Sequence, residues 1–286
     1  MGDSPPKPAP DWADTAPGFA RLDAEPFPAF EPGSVWLVGA GPGAPGLMSL
    51  MAYHAMQHAD VVVYDALVNR DILRWARPGA DLEYAGKRGG KPSASQRDIS
   101  ERLVELARSG MRVLRLKGGD PFIFGRGGEE AQALRTAGVA FRIVPGISAG
   151  IGGLAYAGIP ATHRDLNHSV IFLTGHDATG ALPANVDWRA VATASPVIVM
   201  YMAVKHLPDI AAALIAGGRD PADTLTIVSN ATLPHQSVLE TRLGEIEAFL
   251  RRNQPPTPAI VVAGRVEHWR SVLDWYDLAA RKSPIA

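Results

Sequence analysis

From position 115 to 130 the chain reads Arg-Leu-Lys-Gly-Gly-Asp-Pro-Phe-Ile-Phe-Gly-Arg-Gly-Gly-Glu-Glu, a stretch dense in groups that bind and react. It follows the apolar pair Val113-Leu114 and leads into a helical pattern over residues 129–136. Glycines in a strand-to-helix turn allow positive φ and close approach of a ligand to the backbone. Turns at the carboxyl ends of strands are where open α/β sheets bind ligands. Arg115, Lys117 and Arg126 suit an anion, and the arginine fork suits a carboxylate. Asp120 either caps the next turn or holds the cationic amine of an amino-acid-like ligand.

Other segments offer complementary chemistry. Asp65 ends the apolar run Val61–Tyr64 and is either a helix cap or a general base tuned by a partly desolvated cleft. Gly86-Lys-Arg-Gly-Gly-Lys91 follows another candidate strand, where Lys87 suits proton transfer or a point-charge contact and Arg88 a carboxylate. Gly39-Ala-Gly-Pro-Gly-Ala44 fits the loose dinucleotide pattern, with Asp65 as the ribose acid, so a nicotinamide-dependent oxidoreductase is a rival reading. Pro42 and Pro45 weigh against it, because a pyrophosphate cradle needs the N–H groups that proline lacks. Tyr201 and Met202 end an apolar strand, and packing alone accounts for both.

These loops need strands and helices to hold them. Val35–Val38, Val61–Tyr64, Leu82–Tyr84, Val113–Leu116 and Phe141–Val144 read as strands, alternating with helical patterns after Leu47 and over Ile99–Ala107. That alternation implies an α/β fold with a mostly parallel N-terminal sheet. Pro145–Gly158 is rich in small residues, suiting close packing of a helix or close approach of a ligand. Beyond a boundary near Ala161–Leu166, strands dominate, with a hairpin expected around 225–242 and helices at Ile210–Ala216 and Leu243–Arg251. The second sheet is therefore expected to be mixed. The organisation reads as a disordered proline-rich tail (1–33), an N-terminal α/β domain (34–163) and a C-terminal α/β domain (164–286), with ordered chain from Ser34.

Composition narrows the function. A chain of 286 residues, 47% hydrophobic, can bury two cores. A formal charge of −1 argues against a general nucleic-acid binder. Between Tyr84 and Arg126, however, ten Lys/Arg face four Asp/Glu. The absence of cysteine rules out disulfides, thiolate catalysis and sulfur-ligated metals, and eight histidines without HExxH spacing predict no protein-bound metal. Neither a signal peptide nor an uninterrupted membrane-length apolar run is evident, so a cytoplasmic protein with no membrane partner is expected.

Taken in order, Val38–Gly43, Tyr64–Val68, Gly86-Lys-Arg-Gly, Arg115–Phe122, Gly125–Glu130 and Val144–Ala149 resemble the successive signatures of the tetrapyrrole methylases. Gly152–Pro160 and Leu173-Thr-Gly-His176 sharpen the resemblance to the uroporphyrinogen-III C-methyltransferase branch, in its stand-alone form without a dehydrogenase–chelatase module. The resemblance implies a homodimer of two-domain subunits, with S-adenosylmethionine folded in the cleft between the domains and S-adenosylhomocysteine as by-product. Carried over by motif position, Pro42, Gly118, Gly119, Asp120, Ile123, Ser148, Ala149, Met202, Ala231 and Gly264 would contact that cofactor. Asp65 would be the proton acceptor, Lys87 the donor, and Arg115 and Arg126 would serve the tetrapyrrole site. The implied substrate is uroporphyrinogen III, methylated at C2 and C7 to precorrin-2 for sirohaem or cobalamin; a later precorrin is the alternative within the fold. One departure stands out: the family's Gly-Pro-Gly-Asp reads Gly41-Pro-Gly-Ala44 here, and loss of an acid near the cleft would weaken turnover.

Overall fold

Apolar strands with a period of two build the first sheet of the computed structural model, which describes residues 27–85, 96–165, 167–177, 180–264, 272, 273, 275 and 276. Its strands are β1 (Val35–Gly39), β2 (Val61–Tyr64), β3 (Asp81–Tyr84), β4 (Val113–Lys117) and β5 (Phe141–Val144). They pair in the order β3-β2-β4-β1-β5, all parallel. Alternation sends Trp36, Val38, Val62, Leu114 and Leu116 to one face, covered by Ala52, Ala55 and Met56 of α1 (Leu50–His58). Val35, Leu37, Val61, Val63 and Val113 face the other way, under α2 (Gln96–Arg108) and α3 (Gly127–Thr136). Covering both faces explains why the central strands β1 and β2 are apolar at every position. Arg115 and Lys117 share the register of Val113, so the same alternation drives two cations under α2 and α3.

The second sheet is mixed, as expected. It contains β6 (Val170–Thr174), β7 (Val197–Tyr201), β8 (Thr224–Ser229), β9 (Ser237–Arg242) and β10 (Ala259–Ala263), in the order β6-β7-β10-β8-β9. Only β6–β7 is parallel, and β8–β9 is the hairpin anticipated around 225–242. Its two faces pack under α4 (Ala149–Tyr156) on one side and under α5 (Trp188–Ala194), α6 (Leu207–Ala216) and α7 (Ile246–Arg252) on the other. Although α4 follows the last strand of the first sheet, it packs on β7 and β10 of the second. Its small residues make this possible: a Cβ on Gly150 would lie 2.3 Å from the Tyr201 hydroxyl.

Three details differ from the sequence reading. The helix after the first glycine loop starts at Leu50, because Pro45–Leu47 form a 3-10 turn and Ser49 caps α1 by accepting from the Ala52 N–H. Helix α5 was not foreseen, although Asp187 caps it by accepting from the Ala190 N–H. Packed chain also begins ahead of Ser34: Phe30 is buried and stacked on Trp36, and Phe27 stacks on His54. Prolines made this stretch look like tail, but the two aromatic rings between them bury enough apolar area to anchor it.

Candidate active site

The carboxyl ends of β1, β2 and β4 face the second sheet across a cavity of 310 Å³. Two glycine loops form one wall. Gly41 and Gly119 exchange backbone hydrogen bonds of 3.2 and 2.7 Å, and Gly119 has φ +66°, a value open to glycine at little cost. The opposite wall comes from Tyr201, Met202, Val228, Ala231 and Ile260. Pro42, Gly118, Gly119, Asp120, Ile123, Ser148, Ala149, Met202 and Ala231, scattered over 190 positions in the chain, all line this one space, together with Asp65, Arg115 and Arg126.

Gly264 does not join them. It follows β10 at the end where Ala263 pairs with Ile198, whereas the cavity lies at the other end, beside Tyr201 and Ile260. A Cβ there would meet the Pro196 carbonyl oxygen at 2.4 Å, so this glycine serves close backbone packing. Lys87, with Arg88 and Lys91, lies outside the described residues.

Backbone strain concentrates at the same place. Phe124, Arg126 and Met202 line the cavity with positive φ, and Asn230 and Thr232, also at positive φ, flank Ala231. Non-glycine residues hold such conformations only where surrounding contacts impose them, often at functional sites. Met202 is 44% exposed, so it is cavity wall and not core. Tyr201 bridges the two halves: its hydroxyl accepts from the Gly150 N–H (2.9 Å) and shares a hydrogen bond of 2.6 Å with Ser148 Oγ. Burial pushes the Tyr201 phenol up, which keeps it protonated at neutral pH.

The charged groups are arranged in two layers. Asp65 sits just past β2, and its carboxylate pairs with Arg115 Nη2 (2.5 Å) and Lys117 Nζ (3.4 Å). Behind both cations lies Glu130 of α3, whose Oε1 accepts from Arg115 Nε (3.0 Å), Lys117 Nζ (3.1 Å) and Gln96 Nε2 (2.9 Å). Arg115 is 1% exposed and Glu130 fully buried, while the Asp65 side chain keeps 30% of its surface. The expected division of labour therefore changes. Arg115 spends its fork on two carboxylates of the protein itself and supports Asp65, because strand alternation aims it inward. Nor does Asp65 cap the following 3-10 turn, since the Asn69 side chain accepts from the Asp71 N–H and takes that role.

Asp120 fills the first of its candidate roles, capping the turn that follows it. Its two oxygens accept from the Phe122 and Gly146 N–H groups, which ties two loops together and leaves a negative charge on the cavity wall. Arg126 stands at the rim, its side chain 56% exposed and held in a fork by Glu129. This contact holds the Glu129 carboxyl below its ordinary value.

The first glycine loop is unsuited to a dinucleotide. The Gly41 N–H donates to Gly119, the Ala44 N–H donates to Thr232 Oγ1 (2.8 Å), and positions 42 and 45 are prolines. Too few free N–H groups remain for a pyrophosphate. Ala44 itself is absent from the cavity lining and stands as the N-cap of the Pro45–Leu47 turn with no side-chain cap. Ala44→Asp should therefore raise stability by about 0.5–1 kcal/mol in denaturant unfolding, with turnover within about threefold of the parent. A gain beyond about tenfold would restore the idea of an acid that assists the reaction.

Comparison with known proteins agrees with this geometry. Residues 34–247 match the family of tetrapyrrole (corrin/porphyrin) methylases. This chain belongs to that family. The methylase is 64% identical over 249 residues to a uroporphyrinogen-III C-methyltransferase of Sinorhizobium, a match covering 87% of this chain and 89% of the relative. It is 44% identical to a siroheme synthase of Zymomonas mobilis, of which it spans 51%. Among solved structures, the uroporphyrin-III C-methyl transferase of Thermus thermophilus complexed with S-adenyl homocysteine superposes with a TM-score of 0.71 at 38% identity, over 82% of this chain and 99% of the other.

Sequence reasoning gives Lys117 only a general anion-facing place in its turn, and it assigns none of Glu130, Phe124 and Tyr201 to the site. A signal existed for the first two, since charges at alternate positions of an apolar strand require buried partners. Glu130 lies four residues before Leu134 on α3, hence on its buried face. For Phe124 and Tyr201 only the approach of the two sheets supplies the role.

Proposed function

We propose that this methylase transfers methyl groups from S-adenosylmethionine to C2 and then C7 of uroporphyrinogen III, giving precorrin-2 and S-adenosylhomocysteine. The observation that carries the reading is the convergence of Asp65, Asp120 and the glycine-loop wall on one cavity, in a chain 64% identical, across most of both lengths, to a relative named uroporphyrinogen-III C-methyltransferase. The residues present fit the donor. Asp120 offers a carboxylate for a cationic amine, while Ile123, Met202 and Ala231 offer apolar surface for an adenosyl group. When bound, S-adenosylmethionine supplies an intrinsically electrophilic methyl carbon. The protein's own task is then alignment and proton removal.

A pyrrole β-carbon, held over the cavity mouth, would bond to the donor's methyl carbon as the methyl–sulfur bond breaks, releasing S-adenosylhomocysteine and leaving positive charge on the ring. Asp65 lines the cavity and supplies a carboxylate to stabilise that charge and then take a proton from a carbon adjacent to the methylated one. Arg126 meets a carboxylate arm of the macrocycle at the rim, exchanging Glu129 for substrate. Gln96 and Arg126 also border an open groove of 910 Å³ between α2 and α3, which gives arms of a large substrate somewhere to lie.

Incubation with uroporphyrinogen III and methyl-labelled donor tests the proposal. Label should enter the tetrapyrrole at two positions; labelling of a later precorrin alone would move the assignment within the family, and labelling of neither would end it. Arg126→Ala should raise KM for the tetrapyrrole about tenfold with kcat little changed, since a half-exposed rim charge acts mainly on binding. An unchanged KM would make Arg126 a surface residue only. The proposal extends to a cytoplasmic protein and to a homodimer, the latter supported by the exposed apolar side chains of Ile147, just ahead of α4, and Ile151 on it, and readable by sedimentation equilibrium. Among the described residues no helix is long and apolar enough to cross a membrane, and no cluster of three potential metal ligands is present.

A further inference from the structure

Glu130 is an acidic side chain wholly inside the protein, and nothing in the methyl-transfer scheme uses it. Its Oε1 takes three hydrogen bonds, from Gln96, Arg115 and Lys117, whereas its Oε2 is buried without a partner. A buried carboxylate oxygen left unpaired is costly, so the group is retained against that cost. Both cations it touches also touch Asp65. Asp65, Arg115, Lys117 and Glu130 together carry two negative and two positive charges, and only Asp65 reaches solvent to any extent.

We propose that Glu130 sets the proton affinity of Asp65, by offsetting the two cations that would otherwise hold the Asp65 carboxylate too firmly ionised to act as a base. The inference rests on the reading of Asp65 as the proton acceptor. Against Arg115 and Lys117 alone, Asp65 would face two positive charges in a poorly solvated corner, and an opposite charge within a few ångströms lowers a carboxylate pKa by about 1–3 units each. Glu130 supplies a compensating negative charge from behind. It also orients Arg115 and Lys117 through Oε1, so the pair presents a fixed edge to Asp65. The charged groups facing Asp65 among the described residues are the two β4 cations, with Glu130 of α3 behind them; α2 contributes neutral Gln96, and Asp120 and Arg126 share the cavity wall. Glu130 is thus a positioning residue, acting through its two cationic neighbours.

The test is an opposed pair of variants read by two methods. Asp65 is titrated directly by carboxyl-carbon NMR on aspartate-labelled protein, with Asp65→Asn identifying the resonance, in the parent, Glu130→Gln and Lys117→Met. Calorimetry with S-adenosylhomocysteine reports an intact cavity in each. Glu130→Gln should move the Asp65 titration down by about one unit and Lys117→Met should move it up by about one. The acidic limb of the kcat–pH profile should follow in the same directions. A purely structural Glu130 would lower stability and move neither. An unchanged Asp65 titration in Glu130→Gln overturns the inference. If Glu130→Gln fails to bind S-adenosylhomocysteine, Lys117→Met decides alone: a downward or absent shift overturns the proposal, an upward shift upholds it. Full turnover by Asp65→Asn would instead refute Asp65 as the base, an outcome separate from either titration result.

Discussion

Asp65→Asn is expected to lower single-turnover methyl transfer by about 10²–10⁴-fold, the span general-base catalysis normally covers, with S-adenosylhomocysteine binding within about threefold of the parent. The asymmetry follows from where the side chain lies. Its backbone is fixed by the Leu116 carbonyl, which accepts from the Asp65 N–H, and by the Val68 N–H, which donates to Asp65. The amide therefore occupies the same place without being able to accept the ring proton. Stability falls as well, because Arg115 and Lys117 lose a counter-charge. That loss is modest: the carboxylate is 30% exposed, so water solvates much of what the amide does not. Rapid-quench transfer of a labelled methyl group, beside calorimetry with the donor product, measures both quantities. Turnover within about threefold of the parent would return Asp65 to a charge partner of β4.

Arg115→Met destabilises the protein by about 3–5 kcal/mol, the cost of stripping one member from a buried ion cluster. The guanidinium is 1% exposed and bonded to Asp65, to Glu130 and, at 3.4 Å, to the Val63 carbonyl. Methionine fills much of the volume, so the penalty is electrostatic: fully buried Glu130 keeps only Lys117 as a cation. Urea unfolding should show a lower midpoint with an unchanged slope. A substrate clamp would behave differently, with normal stability and a raised KM, and that result would restore the role the motif implied. The two arginines of the 115–130 stretch thus separate by burial: Arg126 should act on substrate affinity, Arg115 on the integrity of the site. A conservative Arg115→Lys change should not rescue fully, since an ammonium cannot span Asp65 and Glu130 with a planar fork.

Much of this molecule is written locally. Unbroken apolar strands separated by helical periods announced a covered parallel sheet, and Asp-, Gly- and Pro-rich turns marked where its carboxyl edge would be. The motif series named the family and nine of the ten proposed cofactor neighbours that line the cavity. Gly264 misled because a glycine's spacing reports that backbone is close to something, without saying whether the neighbour is a ligand or, as here, the Pro196 carbonyl. The Phe27–Gly33 stretch misled because proline content describes local stiffness, while the stacking of Phe27 on His54 is a contact made across 27 positions of the chain.

The sequence by itself determined the elements, the loop chemistry and the family, because strand alternation, glycine turns and cap residues act within a few positions of the chain. Tertiary structure decided which charges meet. Arg115 and Lys117 could be read as substrate-facing until parallel pairing placed them beneath α2 and α3, between Asp65 and Glu130. Met202 could be read as core until the approach of the second sheet made it a cavity wall. Electrostatic roles depend on distance and on access to water, and both are set by packing between segments far apart in the chain.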